Sequence, residues 1–216
     1  MMKFRALAAV PVALALPFAG CAQSTTGEPV AAATPTGSSS APASSAPTNG
    51  ACAAVAGRIL DLPAKKAGEP RIGLPQPAGW DRQTSQDNDL IRAAIVNKAL
   101  AADQFAPNAV VTLEDATGAT PQQLLDAQIE GLKTTVRVEG MTAPVPGTLC
   151  GFRTTSVSYS MPAVKAGQHR ATVVAVAVPS GSKLWGVTLT VQTTDPNNAT
   201  YKRDSETILT GLRITP

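Results

Sequence analysis

Few residues in this chain can carry chemistry by their type and spacing. There are three cysteines, Cys21, Cys52 and Cys150, and one histidine, His169. A Ser-His-Asp or Cys-His nucleophile needs an imidazole to take its proton, so any such site would have to be built on His169. That histidine precedes a strand-like run beside Arg170, which suits a solvated strand-end residue instead. Ser180-Gly181-Ser182-Lys183 satisfies the S-x-x-K spacing of a serine–lysine nucleophile. Where that spacing works it opens a helix, so that the lysine faces the serine one turn later. Here it lies between two strand-like runs and reads as a hairpin turn. Asp87 with Asp89, and Glu114 with Asp115, are carboxylate pairs too common to mark an acid–base site. One histidine and no paired-cysteine spacing leave too few ligands for zinc. No glycine-rich phosphate loop or His-Glu helix motif is present. The expectation is a protein that is not an enzyme and uses no metal or cofactor.

The thiol with the clearest setting is Cys21. Lys3 and Arg5 form a short positive region, followed by an apolar run of 13 residues from Ala6 to Phe18. Such a run suits a signal peptide and is too short for a spanning helix, which needs about 20 residues. Ala19 and Gly20 ahead of Cys21 resemble the lipobox of bacterial lipoproteins. There the thiol attacks a diacylglyceryl donor, and small neighbours admit the peptidase. Phe18 stands where that motif usually has Leu, and Pro17 is also atypical, departures that bear on the efficiency of processing. Residues 1–20 thus read as a lipoprotein signal peptide and Cys21 as the acylated (palmitate-bearing) residue. The chain is expected at the cell membrane, lipid-anchored on the extracytoplasmic face. The competing reading is an ordinary secretory cleavage site with a cysteine nearby by chance. Parity agrees with lipidation: once Cys21 is used, Cys52 and Cys150 remain as an even pair in an oxidising compartment, expected to form a disulfide. Two buried free thiols are the alternative. Asn198-Ala199-Thr200 fits the N-glycosylation sequon, which is expected to be idle in a bacterial-type lipoprotein.

Residues 21–50 follow the signal peptide as the lipidated cysteine and a tether of Ala, Ser, Thr, Pro and Gly, in which Glu28 is the only charge. So little apolar surface cannot offset ordering entropy, and the segment reads as disordered. Residues 51–216 are long enough for one domain with a real core. Removing Lys3 and Arg5 leaves 16 basic against 15 acidic residues, so the mature chain is nearly neutral. No Lys/Arg cluster interleaves with aromatics, which argues against nucleic acid as a partner.

Within the domain, Arg71 to Trp80 reads as an edge strand stopped by prolines and then a turn that delivers Trp80 to the core. Leu90 to Asn97 and Ala109 to Glu114 are β-rich, with a loop or one helical turn between them. Thr120-Pro121-Gln122-Gln123 predicts a capped helix start. Leu125, Ile129, Leu132 and Val136 then form one apolar stripe, opposite Gln122, Asp126, Glu130 and Lys133. A turn is expected over Thr142 to Gly147, then strands over Phe152 to Met161 and Arg170 to Val178. In the return strand Leu184 to Thr194, Trp185, Val187, Leu189 and Val191 share a face while Gly186, Thr188, Thr190 and Gln192 share the other, the pattern of a half-buried strand. Asp195-Pro196 is expected to cap a last helix with Tyr201, Ile208 and Leu212 on one face, ended by Gly211. Hairpins with two separated helices give an α+β class, an antiparallel β-sheet flanked by helices.

The signal and tether, the Leu-Pro-x-Pro-x-Gly-Trp stretch from Leu74 to Trp80, the middle helix, and the Trp185 hairpin with its terminal helix resemble the LpqN/LpqT-type lipoproteins of mycobacteria and their relatives. The resemblance covers most of Ile72 to Pro216. It implies a Mog1/PsbP-like fold and a non-catalytic cell-envelope protein, some relatives being linked to envelope lipid handling, with no catalytic residues to carry over. Two function classes follow. One is a binding module for an apolar lipid or glycolipid, or for a membrane transporter. Small apolar residues and only six domain aromatics are its sequence support. The other is a structural or host-facing surface lipoprotein without a small ligand. If a ligand is bound, the expected cleft lies between the stripe Leu125, Ile129, Leu132 and the sheet face bearing Trp185, Val187, Leu189.

Overall fold

The computed structural model describes residues 51–135, 137–162 and 168–216. The signal peptide, Cys21, the tether up to Gly50 and Val136 therefore lie outside the described residues. The strands are β1 (Arg58–Leu62), β2 (Arg71–Gln76), β3 (Asp81–Gln83), β4 (Ile91–Val96), β5 (Asn108–Asp115), β6 (Val145–Leu149), β7 (Phe152–Pro162), β8 (Gln168–Ser180), β9 (Lys183–Thr193) and β10 (Arg213–Thr215). The helices are α1 (Pro121–Thr135) and α2 (Ala199–Thr210), with a single 3-10 turn at Lys98–Leu100. Seven strands form one sheet in the order β3-β4-β5-β9-β8-β7-β6, and β1-β2-β10 form a second of three. All the neighbouring pairs are antiparallel. The architecture is α+β, antiparallel sheets with helices packed against them.

A strand sends alternate side chains to opposite faces, and the long β8–β9 hairpin is apolar or small on both. Val176 pairs with Val187 and Val178 with Trp185 on one face, while Ala177 pairs with Gly186 and Ala175 with Thr188 on the other. The first face packs against the three-stranded sheet and α2 through Ile72, Leu74, Ile208 and Leu212. The second face carries α1. β9 is consequently buried along nearly its whole length, where a half-exposed strand was expected. The reason is Gly186: a Cβ there would come within 3.1 Å of Leu124 Cδ1, so the residue that looked polar-side is the space the helix needs.

The turn after β2 forms as its residues demand. Trp80 N donates to Pro77 O at 3.1 Å, and Gly79 sits at φ +83°, the third position of a type II turn, which favours glycine. Trp80 ends fully buried in the main core. Four strands were not anticipated, among them β3, a three-residue edge paired with β4. β6 replaces the turn expected over Thr142 to Gly147; it is an exposed edge with no apolar alternation to announce it. β1 and β10 flank β2, so the strand expected at an edge is the central one of its sheet; β10 has only three residues, too few to show a period. The cap of α2 also differs: Asn198 accepts from Tyr201 N at 3.1 Å, while Asp195 builds the preceding turn by accepting from Asn197 N.

Candidate functional site

α1 begins where its residues predict. Gln123 N donates to Thr120 Oγ1 at 3.2 Å and Thr120 N donates back to Gln123 Oε1 at 2.9 Å, a reciprocal capping box. Its stripe then meets the sheet in two patches. Leu124 and Leu125 pack with Ala175, Ala177 and Leu184. Ile129 packs with Val157, Tyr159, Ala171 and Val173, rimmed by the partly buried Leu132, Val138, Met141 and Met161. Trp185, Val187 and Leu189 belong to the other core, on the opposite face of the same sheet. The two rows expected to face each other across a cleft are therefore separated by the sheet itself. Alternation groups residues by face, but it does not say which helix covers which face.

The Ile129 patch ends in two polar groups that sequence reasoning did not bring together. Tyr159 pairs with Ala171, and His169 with Met161 two residues along, so both rings project from the α1 face as diagonal neighbours. Both residues are buried, and among the described residues neither Tyr159 Oη nor His169 Nε2 has a hydrogen-bond partner. Burial pushes the Tyr159 phenol up to about 12 and holds the His169 imidazole below its ordinary value. The expected solvated strand-end histidine is thus a buried one. Phe105 covers it, with ring centroids 4.0 Å apart and planes tilted by 41°. A tight turn delivers Phe105: Ala102 and Phe105 exchange backbone hydrogen bonds of 3.0 and 2.9 Å. Asp103 and Gln104, between them, adopt φ of 49° and 63°. Thr194 Oγ1 pins the turn by donating to Ala102 O at 2.8 Å. The available signal was period 2, which puts Tyr159 with Val157 and His169 with Ala171 and Val173.

A second polar group sits beside α1. Thr188 Oγ1 donates to Gln128 Oε1 at 3.3 Å, and Gln128 Nε2 donates to Glu114 Oε2 at 2.8 Å. Burial raises the Glu114 carboxyl, against the lowering effect of the Gln128 bond. Ser180 and Lys183 of the S-x-x-K spacing face each other as the closing pair of the β8–β9 hairpin, not one helical turn apart. Lys183 Nζ stands 3.8 Å from Asp115 Oδ2 and 5.2 Å from the Trp185 ring centroid. Asp87 pairs with Arg82 and Asp89 with Lys66. Cys52 and Cys150 are joined by a disulfide that ties the segment before β1 to the turn between β6 and β7. Their sulfurs lie beside the carbonyls of Ile214 and Leu212.

The family model described as "Probable lipoprotein LpqN" matches residues 61–215. The chain belongs to the LpqN lipoprotein family. The LpqN match spans α1, the Ile129 patch, Tyr159 and His169. Among solved structures, the chain is similar to LpqN of Mycobacterium tuberculosis, described as involved in cell envelope biogenesis. The two share 20% identity over 74% of this chain and 91% of that one, with a TM-score of 0.60. The solution structure of cyanobacterial PsbP from Synechocystis sp. PCC 6803 shares 11% identity over 76% of this chain and 97% of that one, with a TM-score of 0.46. No curated protein matches the sequence. Among the described residues, no helix of this LpqN-family chain is long and apolar enough to cross a membrane.

Proposed function

We propose that this LpqN-family chain is a non-catalytic cell-envelope protein, anchored through Cys21 on the extracytoplasmic face. In this reading its domain holds an apolar envelope lipid or glycolipid against the C-terminal half of α1, and can pass it to a membrane transport partner. The observation that carries this is the partly exposed apolar rim of Leu132, Val138, Met141 and Met161 around buried Ile129 and Tyr159. Ligand sites are mostly apolar with a few polar groups, and methionine adapts to irregular chains. The role in cell envelope biogenesis ascribed to the M. tuberculosis relative supports the same setting here. A non-catalytic role is supported by the placement of His169 under Phe105 and by the Lys183 ammonium standing 3.8 Å from Asp115, a carboxylate that favours its charged form over the neutral base a serine would need.

Native mass spectrometry of the purified full chain, followed by titration with lipids extracted from the envelope, tests the binding. Leu132→Glu should abolish uptake with little change in melting, because that side chain is on the rim. A wild-type chain that takes up no lipid defeats the reading in favour of a surface protein without a small ligand. Anchoring is tested separately by Cys21→Ala. A diacylglyceryl cysteine supplies the two chains that stable attachment needs. The variant should therefore leave the membrane fraction or remain unprocessed; membrane binding at mature size would refute the anchor.

A further inference from the structure

We propose that Tyr159 Oη and His169 Nε2 form a neutral polar subsite, covered by Phe105, that receives an uncharged oxygen-bearing group, a hydroxyl or an ester carbonyl, on the molecule held against α1. This rests on the binding function proposed above and names the head-group chemistry it selects. Buried polar atoms in native proteins are nearly always hydrogen-bonded, to protein or to water. Here two of them, on adjacent strands and the same face, go without a partner among the described residues. A phenol donates and accepts, and a neutral imidazole can do either at Nε2, so the pair matches a hydroxyl, which also does both. The side chains packed around Tyr159 are apolar, Ile129, Val157, Ala171 and Val173, with Leu132, Val138, Met141 and Met161 at the rim, a setting in which a charged head group would give up its hydration.

Access is built into the same place. Phe105 lies over His169 from a turn whose two central residues, Asp103 and Gln104, are in the left-handed region without being glycine. Such backbone is strained and tends to be kept where it serves a site. Phe105 belongs to no strand of either sheet, so swinging its ring aside breaks no sheet pairing.

The test uses the full chain carrying Cys21→Ala and four probes with the same alkyl chain below their micellar concentrations: dodecanol, monolauroylglycerol, dodecyl sulfate and dodecyltrimethylammonium. Because His169 is the chain's only histidine, its imidazole C–H signals in proton NMR report the site without assignment. The two neutral probes should shift those signals and slow carbethoxylation of His169, while the two charged probes bind more weakly and shift them less. Tyr159→Phe should weaken monolauroylglycerol about tenfold, as loss of one hydrogen bond does. Phe105→Ala should speed both carbethoxylation and probe uptake in a chain that melts cooperatively. If no probe binds, the binding function itself fails. If all four bind alike, or monolauroylglycerol binds with unchanged His169 signals, binding stands and the subsite is overturned, the pair being met by buried water instead. If Tyr159→Phe binds as wild type does, the phenol has no part in recognition and the subsite is likewise overturned.

Discussion

Trp80 Nε1 donates a hydrogen bond of 2.9 Å to Asp204 Oδ2, joining the turn after β2 to α2 across 124 residues of chain. Both partners are buried, and the second carboxylate oxygen of Asp204 is met by the Arg203 guanidinium at 2.9 Å. The bond explains how an aspartate survives inside the main core, and why a tryptophan rather than another large apolar residue follows Gly79. Asp204→Ala would strand the indole N–H in an apolar setting and should cost about 1–3 kcal/mol. Asp204→Asn keeps an acceptor and should cost less. Urea unfolding with unchanged slope measures both. A loss below about 0.5 kcal/mol for the alanine variant, the size of an ordinary surface change, would show that the bond does not hold α2 in place.

Glu69 and Arg92 make the other buried polar link. Arg92 Nη1 donates to Glu69 Oε2 at 2.8 Å, with side chains only 3% and 4% exposed. Arg92 Nη2 reaches Pro63 O at 2.8 Å, and Lys65 N and Lys66 N donate to the same Glu69 oxygen. Burial pushes the Glu69 carboxyl up, but the bonds and charge of Arg92 and the two amides outweigh it and hold it below the usual 4.5. A depressed folded value means stability that is present above 4.5 and lost as pH falls through the folded value. Removing either partner should cost about 3–5 kcal/mol at neutral pH, because the other charge stays buried alone. The double variant should cost less than the sum of the singles. Strict additivity in that cycle would refute a coupled pair.

The Cys52–Cys150 disulfide closes a separation of 98 residues. A loop of that size contributes about 4–5 kcal/mol in the chain-entropy model. Reduction, or replacement of both cysteines by serine, should therefore lower the melting temperature strongly while leaving the sheet order intact. Thiol labelling of the denatured, unreduced Cys21→Ala chain should find no reactive sulfhydryl. Two labelled cysteines would remove the staple from the account.

Local chemistry was legible wherever one element settles its own structure. The capping box at Thr120 and Gln123, the Leu125–Ile129–Leu132 stripe and the proline–glycine turn before Trp80 all form from neighbours in sequence. The candidate site was not legible, because it depends on which face of β7 and β8 receives α1. Period 2 assigns Trp185, Val187 and Leu189 to one face, yet it takes the packing of Leu124 and Leu125 on Ala175 and Ala177, and of Leu124 against Gly186, to show that α1 covers the other. β1, β3, β6 and β10 escaped for a related reason: each is short and lies at a sheet edge, so its pairing partner rather than its own pattern makes it a strand. Phe105 over His169 joins a loop to a strand start 64 positions on, a contact no spacing announces.

That contact also makes the chain's response to mild acid specific. Burial holds the His169 imidazole below its ordinary 6.5. Above that value the residue is neutral in both folded and unfolded chains, and no pH dependence arises from it. Below it the unfolded chain takes a proton that the folded chain refuses, so stability falls with pH until the folded value is reached and then levels off. Glu69 acts only lower, beneath 4.5. Glu114 acts the other way, since its raised carboxyl is protonated first in the folded chain and adds stability as pH drops. A difference measurement isolates the histidine. The melting temperature of wild type minus that of His169→Phe should decline as pH falls below 6.5, because only wild type carries the refused proton. Phe105→Ala should shrink that decline by letting water reach the ring. Proton NMR of the sole imidazole supplies the direct check: a titration midpoint at or above 6.5 in the folded chain would mean the ring is solvated and the burial argument is wrong.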